Sequence, residues 1–384
     1  MNRETKLMHY GRVSLPGPAN PPVMRASTIL HDTVGSYQDT KRRRENDDAI
    51  LSYGRRGTTT AHALAAAICD LEGAEACFLF PSGVAAVAGA IAPYVGAGDS
   101  LLVVDTIFPA TRTYCEGVLA RNGITIDYFP WDTTDLSAFV KPNTKAVMVE
   151  SPASQTFEVM DLPALCKDAH ARDLVVIADN TYGSSWLYRP LDLGCDVSVV
   201  AGTKYLGGHA DVMMGAAAAK GPATPRLRQH SQMTGQTLGP DDAYNCLRGI
   251  RTLGLRLDRH QENGFALADW LKARDEVQAV LHPGLPEHPG AKVWARDATG
   301  CNGLFSVIFA EGFDAEGLVD RLSLFAIGSS WGGFESLAMP SDPNAGRMFQ
   351  DTARTGPMVR FHAGLEHIDD LIADMLASFN VAAN

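Results

Sequence analysis

Residues 197–215 read VSVVAGTKYLGGHADVMMG. An apolar run at 197–201 leads to a single lysine, Lys204, which is followed by glycines and then by a second apolar run. Lysine is among the side chains least often found fully buried. A lysine at the end of a predicted core strand is therefore a candidate for chemistry. The plain alternative is that its amine reaches the solvent along its apolar stem.

Short apolar runs alternate with longer amphipathic segments around this stretch, from about residue 57 to residue 250. The apolar runs predict strands at 77–80, 101–104, 146–149, 175–178, 197–200 and 212–215. The amphipathic segments predict helices at 62–71, 84–95, 110–122 and 162–172, the last with Asp161 as its N-cap. This alternation indicates an α/β fold with a mainly parallel central sheet flanked by helices.

Changes in composition and in hydrophobic pattern divide the chain into three segments. Residues 1–55 are proline-rich and then charged, and we expect an N-terminal arm that packs against something else. Residues 56–250 contain the predicted sheet and would form the main domain. Residues 251–384 predict a smaller C-terminal α/β domain, reached through a long helix at about 242–273. Its predicted elements are strands at 304–309, 325–327 and 359–362 and a last helix at 368–379.

The composition excludes several classes of protein. The 384 residues carry a net charge of −11 and a pI of about 5.4, which argues against a nucleic-acid-binding or anionic-membrane surface. No run approaches the roughly 18 apolar residues of a membrane span, and no apolar signal segment is expected at the N-terminus. The seven cysteines show no CxxC spacing, so we expect no disulfide scaffold, no metal site and a reducing, cytoplasmic compartment.

Three predicted strands end in polar residues, and ligands bind at the carboxyl edge of a parallel sheet. One strand ends at Asp179, one leads to Thr203 and Lys204, and one leads to Ser82 and Gly83. Taken singly, each has a plain structural reading: a turn at Asp179, a helix cap at Ser82, and a solvent-exposed amine at Lys204.

Taken together, these residues match the chemistry of one ligand. Backbone N–H groups at 82–84 would bind an anion at a helix start, with the Thr203 hydroxyl beside it. A lysine among apolar neighbours has a lowered pKa and a nucleophilic neutral amine. Pyridoxal phosphate (PLP) forms a Schiff base with lysine, and its ring becomes an electron sink when an acid such as Asp179 pairs with the ring nitrogen.

Ordered sequence blocks along nearly the whole chain carry a resemblance to a known family. They are YGRRGTTTAHALAAAICDLEG (53–73), FPSGVAAV (80–87), ESPAS (150–154), ADNTYGSSW (178–186), GTKYLGGHADVMMG (202–215), SSWGGFESL (329–337) and GPMVRFHAGLEHIDDLIADM (356–375). The sequence resembles the Cys/Met-metabolism family of PLP-dependent enzymes, and within it the cystathionine β-lyases. The resemblance implies the aminotransferase-like fold, PLP fold type I.

The resemblance also implies roles for the strand-end residues. Lys204 would bind the cofactor covalently and act as the catalytic residue, and Asp179 would pair with the pyridinium nitrogen. The cofactor phosphate would lie among Ser82, Gly83, Val84 and Thr203.

Further roles are implied for residues outside the predicted main sheet. Tyr53 and Arg55 would bind the phosphate in the neighbouring subunit, which gives the arm at 1–55 its role and makes a homodimer the smallest active unit. A homotetramer is the usual assembly. Arg360 would bind the substrate α-carboxylate, with Ser330 and Trp331 beside it.

Two positions bear on the subfamily. Ser154 stands where the γ-synthases and γ-lyases usually carry asparagine, which favours a β-lyase. Phe108 stands where the family usually places a tyrosine that stacks on the cofactor, so it keeps the stacking ring but lacks the hydroxyl. Either Lys204 then handles the protons alone, or another group helps, or the natural substrate is not cystathionine.

The resulting prediction is a carbon–sulfur β-lyase that converts L-cystathionine to homocysteine, pyruvate and ammonia. Lys204 would remove the α-proton and return a proton to the departing sulfur. One alternative is a γ-lyase or γ-synthase acting on methionine or an activated homoserine. Another is a non-catalytic regulatory or structural relative, which only the missing hydroxyl at Phe108 favours.

Overall fold

The structure is a computed structural model that describes residues 1–12, 16–350 and 355–382. Its helices are α1 (Arg3–Leu7), α2 (Val34–Arg43), α3 (Thr59–Glu72), α4 (Gly83–Ile91), α5 (Pro109–Tyr114), α6 (Leu162–His170), α7 (Thr224–Thr234), α8 (Pro240–Ile250), α9 (Leu253–Lys272), α10 (Ala291–Asp297), α11 (Ala315–Arg321) and α12 (Ile368–Ala382). Its strands are β1 (Ala76–Phe80), β2 (Ser100–Val104), β3 (Thr125–Phe129), β4 (Thr144–Glu150), β5 (Val175–Asp179), β6 (Val197–Val200), β7 (Gly215–Ala219), β8 (Val277–Leu281), β9 (Leu304–Phe309), β10 (Ala326–Ile327), β11 (Leu337–Ser341) and β12 (Met358–His362).

The large sheet has seven strands in the order β1-β7-β6-β5-β4-β2-β3. Strand β7 is antiparallel to both of its neighbours, and the other pairings are parallel. Alternate residues of β7 belong to different core clusters, Ala216 and Ala218 to one and Ala217 and Ala219 to the other. Both faces of the sheet are therefore covered, and the prediction of a mainly parallel sheet flanked by helices is confirmed.

The strand predicted at 212–215 is wrong, because β7 begins only at Gly215 and runs to Ala219. After its first residue this strand consists of four alanines. Alanine favours helices and carries no β-branched or aromatic signal, so nothing local marked the segment as a strand. The small side chains let helix α4 pack directly on β7, where Ala86 is fully buried.

The single long helix predicted at 242–273 is also wrong, because α8 ends at Ile250 and α9 begins at Leu253. The break is stabilised by Arg256, whose guanidinium is buried. Its Nη2 donates to the carbonyl oxygen of Gly249 at 2.8 Å, and its Nη1 donates to the carbonyl oxygen of Tyr205 at 2.8 Å. One side chain thus satisfies a helix-terminal carbonyl and anchors the segment that follows Lys204.

Two other predicted helices end differently from expectation. The segment predicted at 110–122 is helix α5 followed by a π-helical turn at Cys115–Leu119 and a 3₁₀ turn at Ala120–Asn122. Helix α4 stops at Ile91, short of the predicted end at residue 95, because Pro93 excludes a continuing helix.

The smaller sheet has five strands in the order β10-β11-β12-β9-β8, and helices α9, α11 and α12 pack with it around a third core cluster. The smaller mixed α/β region predicted after residue 250 is therefore present. The boundaries at residues 55 and 250 stay predictions. Within the described ranges no helix is both long and apolar enough to cross a membrane.

The arm at 1–55 is less irregular than predicted, since it contains α1 and α2. Helix α2 is capped by Thr33 and Ser36, each of which bonds the backbone of the other. None of its residues is buried within this chain, and its apolar residues Val34 and Tyr37 are exposed.

Replacing Arg256 tests its role at the helix break. We expect Arg256→Met to lower the free energy of unfolding by about 3 kcal/mol, because two carbonyl groups lose a charged donor. Arg259→Met, an exposed position on the same helix, is the matched control and should change stability by less than about 0.5 kcal/mol. Chemical denaturation measures both, and equal stabilities of the two variants would contradict the assignment.

Candidate active site

The three strands singled out from the sequence end at one edge of the large sheet. Strands β1, β5 and β6 run in the same direction, because β7 is antiparallel to both β1 and β6, while β5 and β6 are parallel. Their carboxyl ends lead to Ser82, Asp179 and Lys204. The structure therefore brings these sequence-predicted residues to the same side of the fold.

Lys204 lies in the turn after β6, and its side chain is half-buried. Its Nζ donates a hydrogen bond to Ser330 Oγ at 2.7 Å and lies 5.3 Å from the centre of the Trp331 ring. Burial lowers the pKa of this amine to about 8, and the nearby positive charge of Arg360 acts in the same direction, while Asp179 opposes it. A sizeable neutral fraction is thus present near neutral pH, as a nucleophile or base requires.

Asp179 is buried at the end of β5 and is oriented by its neighbour Thr181. The amide and hydroxyl of Thr181 donate to Asp179 Oδ1 at 2.9 and 2.6 Å, and the Thr181 hydroxyl accepts from the Ala201 amide at 2.9 Å. Burial raises the pKa of Asp179, and the bonds from Thr181 oppose that rise. Among the described residues Oδ2 has no hydrogen-bond partner, so it can accept a donor from a ligand.

The start of helix α4, which follows the carboxyl end of β1, offers backbone amides that suit an anion. Ser82 caps the helix, since its Oγ accepts from the Ala85 amide at 3.1 Å and its carbonyl accepts from the Ala86 amide at 3.0 Å. This leaves the amides of Gly83 and Val84 at the open end of the helix. A Cβ atom on Gly83 would lie 2.7 Å from the Ala201 Cβ, so only glycine lets the helix start approach the Lys204 segment this closely.

The hydroxyl of Thr203 is hydrogen-bonded to the backbone of the same chain. Its Oγ1 accepts from the Met214 amide at 3.0 Å and donates to the Met214 carbonyl at 3.2 Å. These bonds join the turn after β6 to the segment before β7 and so fix the backbone around Lys204. The phosphate contact predicted for Thr203 stays a prediction.

Arg360 comes to the site from the smaller sheet, on strand β12, and is 8% exposed. Its Nη2 donates to the carbonyl oxygens of Ser329 and Ser330 at 3.3 and 3.4 Å. Burial lowers the pKa of its guanidinium to about 10. These long contacts leave donors for a ligand carboxylate and bring Arg360 beside Ser330, the residue before Trp331. The substrate contacts predicted for these three residues stay predictions.

Glu150 is a residue of this edge to which the sequence analysis gave no role. It ends strand β4, where its Cα pairs in register with that of Asp179, and its Oε2 accepts from the Phe108 amide at 2.6 Å. Burial raises the pKa of its carboxyl well above the usual range, and the charge of Asp179 adds to the rise. The position after strand 146–149 was the available signal, since the same reasoning selected Asp179.

Tyr53 and Arg55 are not brought to this edge of their own chain. Arg55 Nη1 donates to the carbonyl oxygen of Gln232 at 2.7 Å, and its guanidinium carbon lies 5.7 Å from the centre of the Tyr53 ring. Tyr53 is 42% exposed. A role in a neighbouring subunit, as the resemblance implies, stays a prediction.

Comparison with known proteins adds to this geometry. The family model described as Cys/Met metabolism PLP-dependent enzyme matches residues 4–380. The chain belongs to this family. It is 40% identical over 387 residues to the cystathionine beta-lyase of Salmonella typhimurium, covering 98% of both chains. It is 39% identical over 387 residues to cystathionine beta-lyase MetC of Escherichia coli K12, again covering 98% of both.

Among solved structures, metB from Corynebacterium glutamicum matches with a TM-score of 0.88 and 28% identity, over 99% of this chain and 98% of that one. The predictions of the family and of PLP fold type I are therefore confirmed. The family also confirms pyridoxal phosphate as the cofactor.

The residues at the sheet edge fit that cofactor. The amides of Gly83 and Val84 at the open start of helix α4 suit its phosphate. Asp179 Oδ2 suits its ring nitrogen, and the Lys204 amine suits its aldehyde. Phe108, 39% exposed, offers a ring face for stacking.

The amine of Lys204 should titrate in an unusual range. In the cofactor-free protein, acetylation of Lys204 should become faster as the pH rises, with a midpoint at about pH 8, and then level off, because only the neutral amine reacts. Arg360→Leu should move this midpoint upward by removing a nearby positive charge. Competitive acetylation with peptide mass spectrometry measures both, with the other lysines as internal reference. A rate that still rises beyond pH 10 would contradict the burial of this amine.

Proposed function

We propose that the chain is a PLP-dependent carbon–sulfur β-lyase that cleaves L-cystathionine, with one water molecule, to homocysteine, pyruvate and ammonia. The proposal is carried by the half-buried Lys204 amine, held by Ser330 and flanked by Asp179 and Arg360. The similarity to two cystathionine beta-lyases along nearly the whole chain supports the substrate. Ser154, in place of the asparagine usual in γ-acting relatives, agrees with it.

Arg360 binds the substrate α-carboxylate in this proposal. Its Nη2 makes only long contacts to two neutral carbonyls, and a carboxylate offers a shorter, charge-assisted bond. The planar guanidinium, held on β12, then orients the substrate so that its Cα faces Lys204. Bound PLP supplies the electron sink that makes the α-proton acidic.

Lys204 moves the protons of the reaction. With a pKa of about 8 it is a base of suitable strength to take the α-proton, and the same amine then protonates the departing thiolate. Phe108 has no hydroxyl to share this work, so we assign both transfers to Lys204. Ser330 Oγ, which accepts from Nζ at 2.7 Å, holds the amine in position between the two transfers.

Product analysis tests the reaction. With L-cystathionine we expect pyruvate and homocysteine in equal amounts, whereas γ-cleavage would give 2-oxobutyrate and cysteine. Lys204→Ala should lower turnover by at least about 10³-fold, because the proton carrier is lost. Lys145→Ala, at an exposed position, is the control and should leave turnover unchanged. The β-lyase assignment fails if 2-oxobutyrate predominates or if neither keto acid forms.

We propose further that the enzyme works as a homodimer, assembled into a tetramer, in the cytoplasm. The arm at 1–55 carries exposed apolar side chains, with Leu30 89%, Val34 73% and Tyr37 51% exposed, which a partner subunit would cover. In that assembly Tyr53 and Arg55 would bind the phosphate of the neighbouring site. The seven cysteines are all free thiols, which fits a reducing compartment.

Hybrid dimers test the shared site. Lys204→Ala and Arg55→Ala chains should each be nearly inactive alone. If Arg55 acts across the interface, a hybrid has one site that combines an intact Lys204 with an intact Arg55. Differently tagged chains, co-expressed and purified through both tags, should then be far more active than either variant alone. Their activity should reach at most half of that of the unsubstituted enzyme, because tetramers of two unmixed dimers carry both tags as well. Hybrids as inactive as the parent variants would place Arg55 outside the neighbouring site.

A further inference from the structure

The loop between β10 and β11 lies directly against the backbone of Lys204. A Cβ atom on Gly332 would lie 2.8 Å from the Tyr205 nitrogen and 3.0 Å from the Lys204 carbonyl carbon. Gly332 also has φ +84°, a conformation that other residues rarely adopt. Glycine is thus required at position 332. The loop that carries Ser330 and Trp331 packs closely against the backbone of Lys204.

Strand β12 holds this loop through two side chains. Arg360 and His362 are two residues apart on the strand and so lie on the same face of the sheet. Arg360 donates to the carbonyl oxygens of Ser329 and Ser330. The Gly332 amide donates to His362 Nε2 at 3.1 Å.

The partners of His362 define its protonation state. Nε2 faces an amide donor and therefore must be an acceptor. Nδ1 lies 3.0 Å from the carbonyl oxygen of Glu335 and therefore must carry the proton. Both nitrogens of the neutral His362 ring are thus hydrogen-bonded to the same loop, Nε2 at Gly332 and Nδ1 at Glu335.

The surroundings keep the ring neutral. His362 is 1% exposed, and its ring packs 5.0 Å from the His260 ring and 5.7 Å from the Tyr205 ring. Burial lowers the pKa of His362 well below its usual value, and His260, Arg360 and Lys204 act in the same direction. The acceptor toward Gly332 is therefore maintained while Lys204 titrates.

We propose that His362 is a positioning residue that fixes Gly332 and thereby holds Ser330 Oγ at hydrogen-bonding distance from the Lys204 amine. The inference rests on the proposed function, since it concerns the same site. Arg360 contacts the loop only through long bonds of 3.3 and 3.4 Å to two carbonyl oxygens before Gly332, whereas His362 bonds the Gly332 amide itself at 3.1 Å. His362 makes its bond to a backbone amide and remains in place throughout turnover.

Two substitutions separate positioning from simple filling of the core. The Oε1 atom of glutamine reaches the place of Nε2, so His362→Gln keeps an acceptor for Gly332. Asparagine reaches only the place of Nδ1, so His362→Asn keeps the bond to Glu335 and loses the one to Gly332. Per cofactor-loaded site, we expect His362→Gln to retain kcat within about threefold and His362→Asn to lose at least about tenfold, with KM changed less than threefold.

His282 provides a matched control. It is also fully buried, accepts from the Gly284 amide at 3.1 Å, and bonds the Asn302 carbonyl oxygen at 3.2 Å. Its partners Gly284 and Asn302 lie in two segments, after β8 and before β9, that carry no site residue. His282→Asn should therefore lower the melting temperature as His362→Asn does, but leave kcat per loaded site unchanged. Equal kcat for His362→Asn and His362→Gln, or equal kcat losses for His362→Asn and His282→Asn, would overturn the proposal.

A second measurement is independent of activity and of variants that fail to fold. Residue-resolved hydrogen exchange on the parent protein should show a slowly exchanging Gly332 amide. Rapid exchange of that amide in the parent would overturn the proposal, whatever the enzyme assay shows. A different result separates this proposal from the proposed function. If the parent produces no pyruvate from L-cystathionine, the proposed function has failed. The role of His362 in holding the loop still stands if the Gly332 amide exchanges slowly in the parent and rapidly only in His362→Asn.

Discussion

The hydrogen bond from the Lys204 amine to the Ser330 hydroxyl joins the two sheets at the point where the chemistry takes place. Lys204 follows the large sheet, and Ser330 lies in a loop of the smaller one. An amine that was simply exposed would stay protonated and hydrated. Here burial and the charge of Arg360 make the neutral form accessible, and the serine oxygen gives the amine a fixed direction.

The charges of the other groups at this edge of the large sheet indicate which ligand it suits. Asp179 and Glu150 end neighbouring strands in register, and the charge of Asp179 adds to the rise in the pKa of the Glu150 carboxyl. This pair of acidic side chains therefore favours a bound cation, and the protonated ring nitrogen of pyridoxal phosphate is such a cation. At the other end, the open amides of helix α4 favour an anion. One ligand with an anionic and a cationic end satisfies both, and Lys204 lies at the same edge.

The residues at the edge of the large sheet could be predicted from the sequence, because parallel strands show continuous apolar runs and end abruptly in polar residues. Asp179, Lys204 and Ser82 were found in this way, and the same rule applied to Glu150 would have added it. The four alanines of β7 carried no strand signal, and the break before α9 depends on the distant partners of Arg256. The positioning role of His362 required the fold, because Gly332 and His362 are thirty residues apart.

Reduction with borohydride, followed by peptide mapping, tests the central claim most directly. The purified protein, loaded with pyridoxal phosphate, should yield a single reduced phosphopyridoxyl adduct on the peptide that contains Lys204, and the Lys204→Ala variant should yield none there. An adduct confined to another lysine, or no adduct at all after loading, would contradict the assignment of Lys204 and with it the account of this site.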